Sequence, residues 1–194
     1  MEIAVVGGSL GGLTAACLLN DAGHHVVVYE RSSLELEERG AGIGFLPETY
    51  RYLVERGGIS LDAVAVPTGH IRYLGRDGTT THDELHRYLF SSWNTVYREM
   101  LRCFGRASYQ LAHELVDIEL DPLTLTFSTG EAVSPDVAVF ADGVSSTARA
   151  ALLPESRPRY AGYVAWRGVV PESELSAGTR ATFDDAITYY VYAN

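Results

Sequence analysis

The chain has 194 residues, 46% of them apolar and 21% charged, and a formal net charge of −10. That balance suits a globular protein of one large or two small domains, and the acidic field argues against nucleic acid and anionic membrane surfaces as partners. Two cysteines without metal-ligand spacing, no leader-like basic and apolar N-terminal run and no bilayer-length apolar stretch point to a reducing, cytoplasmic setting.

The N-terminal 30 residues carry the densest signal. Ile3-Ala4-Val5-Val6 predicts a strand, Gly7-Gly8-Ser9-Leu10-Gly11-Gly12 a tight turn, Leu13 to Leu19 a helix and Val26-Val27-Val28-Tyr29 a second strand that ends in Glu30. Gly23 stands where a helix C-terminal glycine belongs, and Cys17 lies on the apolar helix as a small core residue. Strand, glycine turn, helix, strand and acid form the layout a dinucleotide requires. Small residues let the backbone approach a pyrophosphate, the helix N-terminus offers free N–H groups, and the acid can hold a ribose hydroxyl. Read as G-x-G-x-x-G, the turn has Gly7 and Gly12 at its ends but Ser9 in the middle. Glycine turns of this kind also serve as plain connectors, so the flanking strands and Glu30 carry the inference.

Residues 31–44 follow as a polar and then glycine-rich loop, Arg39-Gly40-Ala41-Gly42-Ile43-Gly44, and a short helix is predicted from Pro47 to Arg56. His70 to Leu74 and Thr79-Thr80-Thr81 predict two strands joined by a hairpin at Asp77-Gly78. A helix over 96–104 places Val96, Met100 and Phe104 on one side, with Arg98 elsewhere. Alternation then predicts half-exposed antiparallel strands, with Val116, Ile118 and Leu120 facing one way, and Leu123, Leu125 and Phe127 repeating the pattern.

Val137 to Ala141 is apolar without alternation, as expected of a strand covered on both faces, and leads through Asp142-Gly143 into a helix near Ser146. Ligands of open α/β sheets lie at the C-terminal ends of such strands, so the turns at Gly7–Gly12 and Asp142–Arg149 are expected to share one crevice. The histidines lack ligand spacing and read as ordinary polar positions. The twelve tyrosines mostly suit strand packing, with Tyr163, Trp166, Tyr189 and Tyr190 as candidates for an aromatic pocket. The stretch Ala186 to Tyr192 predicts an aromatic edge strand, as expected if the sequence is a fragment or if another chain completes the sheet.

Four segments in order resemble the N-terminal half of the FAD-dependent aromatic hydroxylases, the single-component flavoprotein monooxygenases related to p-hydroxybenzoate hydroxylase. They are the glycine turn with Tyr29-Glu30-Arg31, the Gly40-Ala41-Gly42-Ile43 loop, Asp136 to Arg149, and Tyr160 to Gly168. The nearest branch hydroxylates pyridine or nicotinate-type rings. The resemblance implies an α/β fold: a glutathione-reductase-like FAD-binding Rossmann sheet with an antiparallel meander, plus part of a β-rich substrate domain. Residues 1–67 and 95–155 would form the FAD-binding domain, and 68–94 and 156–194 the partial substrate domain. It implies cofactor contacts at Gly7, Ser9, Leu10, Gly12, Glu30, Arg31, Arg39, Gly42, Arg98, Asp142, Gly143 and Arg149. Of these, Glu30 would hold the adenosine ribose, Gly7, Ser9 and Gly12 would flank the pyrophosphate, and Asp142 and Arg149 would support the nicotinamide region. No catalytic residue or metal is implied.

The implied activity is NAD(P)H- and O2-dependent hydroxylation of a small aromatic ring through a C4a-hydroperoxyflavin, with the protein supplying position and exclusion of water. A homodimer or a complementing C-terminal chain is the implied assembly. Ser9 departs from a family glycine, and the family's third FAD motif, a Gly-Asp that grips the ribityl chain, is missing. A chain without it is expected to leak peroxide or not to turn over. Two other readings stand beside this one. A flavin-free NAD(P)-dependent Rossmann oxidoreductase is opposed by the antiparallel segment at 116–128, where such enzymes tend to continue βαβ. A non-catalytic nucleotide-binding module, or half of a split enzyme, is favoured by the terminal aromatic strand if 194 residues is the natural length.

Overall fold

The computed structural model describes residues 1–37, 42–164 and 170–190. In chain order the elements are β1 (Glu2–Val6), α1 (Leu10–Asp21), β2 (His25–Tyr29), β3 (Gly42–Gly44), α2 (Pro47–Glu55), α3 (Leu61–Val64), β4 (Val66–Leu74), β5 (Thr80–Ser92), α4 (Trp93–Phe104), β6 (Tyr109–Gln110), β7 (Leu115–Leu120), β8 (Leu123–Phe127), β9 (Ala132–Val133), β10 (Val137–Phe140), α5 (Thr147–Leu152), α6 (Ala177–Phe183) and β11 (Ala186–Tyr190). Two compact units emerge, one from residues 1–39 and 94–164, the other from 40–93 and 165–194. Residues 40–67, grouped with the first domain by the sequence, belong to the second of these units.

The first unit is built on a four-stranded parallel sheet in the order β10-β1-β2-β6. The β1–α1–β2 segment is a βαβ crossover, and α1 packs over β1 and β2. It ends as the sequence predicts: Gly23 has a φ of +84°, and its N–H donates to the Asn20 carbonyl at 2.9 Å. Ala4, Val6 and Tyr29 form one buried face with Leu115, Leu125 and Phe127 of the antiparallel β7-β8-β9 sheet. Alternate residues of the same strands, Val5, Val26 and Val28, are buried on the other face. Cys17 is buried, with its sulfur 3.7 Å from the Met100 carbonyl oxygen of α4.

Two expectations change here. β10 occupies the edge of the sheet and is only partly covered: Val137 is 39% exposed and the rest of the strand is half-buried. In β7 only Ile118 of the three expected inward residues packs on the core, while Val116 and Leu120 are exposed. The pairing skips Val116 between Leu115↔Phe127 and Asp117↔Thr126, so a bulge resets which residues face in.

The second unit holds a sheet in the order β11-β4-β5-β3, with β11 parallel to β4 and the other pairs antiparallel. The β4–β5 hairpin turns at Asp77-Gly78, where the Asp77 carboxylate accepts the Thr79 N–H at 3.0 Å and Gly78 has a φ of +81°. Both strands run further than the sequence suggests, β5 to Ser92. β11 lies at the sheet edge with Tyr189 stacked on Tyr73. Trp166 and Tyr192 lie outside the described residues.

Candidate functional site

The turn after β1 depends on three glycines, each for a different reason. Gly7 has a φ of +99°, and a Cβ there would strike the Ala141 carbonyl at the end of β10. A Cβ on Gly12 would overlap the Gly7 carbonyl oxygen, so α1 can begin this close to the turn only with glycine at that position. Gly8 leaves the space taken by the Tyr109 hydroxyl. Gly11 faces open space.

Ser9 is the N-cap of α1, extended at φ −75° and ψ −174°; its side chain makes no capping bond, and no acid lies in the first turn. No side chain of the 12-residue helix's own first turn therefore offsets the partial positive charge at its N-terminus. Glu30 ends the neighbouring strand and is 6% exposed. Its Oε2 accepts the Gly8 N–H at 2.8 Å and its Oε1 the Ser32 N–H at 2.9 Å. A carboxylate has about four lone-pair sites, so each oxygen retains capacity for a ligand hydroxyl.

The second turn faces the first. Gly7, Ser9, Glu30 and Arg31 from one side and Asp142 and Gly143 from the other line a single cleft of about 200 Å³. This is the shared crevice the sequence predicts. Around α5 the polar groups serve the helix itself. Ser146 Oγ accepts the Arg149 N–H at 2.8 Å, and Asp142 Oδ2 accepts the Ala148 N–H at 3.3 Å. An uncapped helix end, a glycine cradle and the Glu30 carboxylate beside them are groups that could hold a phosphate and a sugar hydroxyl.

Comparison with known proteins bears on the same features. Residues 5–34 match the model of an NAD(P)-binding Rossmann-like domain, and residues 160–194 that of an FAD binding domain-like family. The 2,6-dihydroxypyridine 3-monooxygenase of Paenarthrobacter nicotinovorans is 39% identical over 195 residues, covering 97% of this chain and 48% of that protein. A solved structure of 2,6-dihydroxypyridine-3-hydroxylase from Arthrobacter nicotinovorans superposes with a TM-score of 0.91 at 38% identity, over 97% of this chain and 48% of that one. Klebsiella pneumoniae HpxO, solved with FAD and uric acid, superposes with a TM-score of 0.67 at 28% identity, over 79% of this chain and 42% of that one. The chain is homologous to the FAD-dependent aromatic hydroxylases. It spans about half the length of the curated relatives it matches, 48% of the first of them.

Within this hydroxylase homologue, the sequence-derived site residues fall into three groups. Gly7, Ser9, Glu30, Arg31, Asp142 and Gly143 line the cleft, with Leu10 and Gly12 in the first turn of α1 behind it. Arg98 lies mid-helix in α4 with its Nη2 2.8 Å from Glu37 Oε2. Arg149 folds back so that its guanidinium donates to the Gly143 carbonyl at 3.5 Å and to the Val144 carbonyl, and it lines a second cavity with Phe140 and Leu152. Gly42 opens β3 in the other unit, and Arg39 lies outside the described residues.

Four cleft residues escape the sequence reading: Leu36, His113, Glu114 and Leu115. The His113 ring lies 5.6 Å from Tyr29 and 5.5 Å from Phe127, with Nδ1 2.6 Å from the Leu111 carbonyl and Nε2 3.0 Å from Glu131. Burial, and then the nearby Glu131 carboxylate, push the Tyr29 phenol above its ordinary pKa. Among the described residues no group of three or more His, Cys, Asp or Glu side chains is placed to hold a metal ion, and no helix is long and apolar enough to cross a membrane.

Proposed function

We propose that the first unit binds the ADP half of FAD across the two turns, and that the whole protein is an NAD(P)H- and O2-dependent monooxygenase acting on a small aromatic ring of the pyridine or nicotinate type. The observation that carries this reading is the one cleft lined by both turns, with an uncapped helix end on one wall and Glu30 beside it. The homology to FAD-dependent hydroxylases supports it.

In this reading Ser9 and the first N–H groups of α1 bind the pyrophosphate, and Glu30 orients the adenosine ribose through its remaining lone pairs. Arg31 and His113 border the adenosine end, while the Asp142-Gly143 turn closes the opposite wall. FAD, when bound, supplies electron transfer from a nicotinamide coenzyme to dioxygen; the chain's own part is to bind, orient and exclude water. Arg39, Gly42, Arg98 and Arg149 remain proposed cofactor contacts on the family resemblance. The second unit is proposed as the start of the substrate domain, and a homodimer as the assembly.

Two measurements test this. Titration of FAD with the chain, followed by flavin fluorescence, is expected to show binding that ADP displaces; FAD binding indifferent to ADP overturns the placement. NADH or NADPH added to the full reading frame with 2,6-dihydroxypyridine is expected to drive oxygen uptake and ring hydroxylation. Flavin that no dihydropyridine, hydroxynicotinate or aminobenzoate compound causes to turn over would remove the substrate class.

A further inference from the structure

We propose that Tyr109 is a positioning residue that aims the Ser9 N–H at a phosphate of the cofactor, an inference that rests on the cofactor reading above. Both peptide groups flanking Gly8 are pinned. The Gly8 N–H donates to Glu30, and the Gly8 carbonyl accepts the Tyr109 hydroxyl at 2.9 Å. The Tyr109 oxygen accepts the Tyr97 hydroxyl at 3.2 Å, and the Tyr97 oxygen in turn accepts the Leu36 N–H at 3.0 Å. Both rings are buried, Tyr97 completely. Burial above all raises the Tyr109 phenol far above its ordinary pKa, so it stays a neutral donor.

The carbonyl of Gly8 and the N–H of Ser9 belong to one trans peptide and point in opposite directions. Holding the first against Tyr109 turns the second away from Tyr109, and it is Ser9, with neither Gly8 nor Tyr109, that lines the cleft. Glycine before this peptide leaves it little intrinsic preference between orientations, so the hydroxyl supplies the restraint. Phenylalanine would fill the same apolar space; the hydroxyls are what packing alone does not explain. The relay also fixes Leu36, a wall of the same cleft, to the turn.

The test uses ADP as the probe, read by calorimetry and by the Ser9 amide resonance, which a bound phosphate moves downfield in the wild type. Y109F keeps the ring and loses the donor, so ADP should bind roughly two- to twelvefold more weakly, the value of one hydrogen bond, with the Ser9 response diminished. Y97F deletes an equally buried hydroxyl one bond further away. It should lower the melting temperature by a similar amount and keep most of the ADP affinity. Wild-type ADP affinity and Ser9 response in Y109F overturn the inference, as do equal losses in both variants. If Y109F does not fold, S9P set against S9A carries the test: the φ of Ser9 admits proline, and loss of the amide must weaken ADP more than loss of the hydroxyl. Equal affinities there overturn the inference. A wild-type chain that takes up no ADP defeats the cofactor reading itself, a result distinct from a wild type that binds and a Y109F that binds equally well.

Discussion

The two strand-to-helix turns of the first unit stand side by side on β1 and β10 and face the same cleft, yet they treat their helix ends in opposite ways. The Gly7–Gly12 turn brings backbone close to backbone and leaves α1 uncapped by any side chain. The Asp142–Ser146 turn caps α5 internally, through Ser146 Oγ and Asp142 Oδ2. A helix end satisfied by its own side chains has less to offer an anion. Neighbouring turns of similar topology thus differ in what they leave over: the first keeps helix N–H groups free of a side-chain cap, and the second takes them up with Ser146 and Asp142.

Substitutions can break this contrast, and the largest effect is expected at Gly12. G12A forces a methyl group into the Gly7 carbonyl, so it should cost about 3 kcal/mol by urea denaturation and abolish ADP binding. E30Q leaves either the Gly8 or the Ser32 N–H without its buried acceptor. A loss of about 2 kcal/mol is expected, together with weaker ADP binding. S146A removes the cap of the second turn; thermal denaturation should show about 1 kcal/mol lost, with ADP affinity unchanged. S9A should do the reverse, costing little stability and weakening ADP. G11A, one residue from the critical glycine but facing open space, should stabilise the chain by about 0.5–1 kcal/mol through helix propensity; a loss there would undo the division of roles among these glycines.

The smallest effect concerns the loop beyond Glu30. Hydrogen bonding from Arg106 holds the Glu35 carboxyl below its ordinary pKa. A depressed carboxylate contributes stability above its unfolded pKa and loses it as pH falls through the folded one. Arg106 is largely exposed and solvent screens the pair, so R106A should cost below about 0.5 kcal/mol at neutral pH. Melting curves of R106A and wild type should converge in acid.

What the sequence reveals follows from how local each signal is. The β1–α1–β2 unit and Glu30 are legible because glycine spacing, apolar runs and the terminal acid lie within 30 residues, and the Asp142-Gly143 turn is legible for the same reason. The exposure of β10 is not, because edge or centre is decided by sheet order. β5 hides its length because Asp83, Glu84, His86 and Arg87 interrupt any apolar pattern. Its partner strand provides part of the compensation, with Arg72 Nε 2.9 Å and His70 Nδ1 2.7 Å from the Asp83 carboxylate. The Val116 bulge erases a clean alternation by adding one residue. Tyr97, Tyr109 and His113 gain their roles from contacts with Gly8, Leu36, Tyr29 and Phe127, partners supplied by other elements of the fold.

The pairing of β1 with β10 sets a schedule for synthesis. The Glu2 N–H finds its acceptor, Asp136 Oδ2, 134 residues further along the chain. At typical ribosomal rates that interval lasts on the order of ten seconds. Throughout it, one edge of Ile3–Val6 has no partner strand, so the backbone N–H and C=O groups on that edge stay without their native partners until β10 is made.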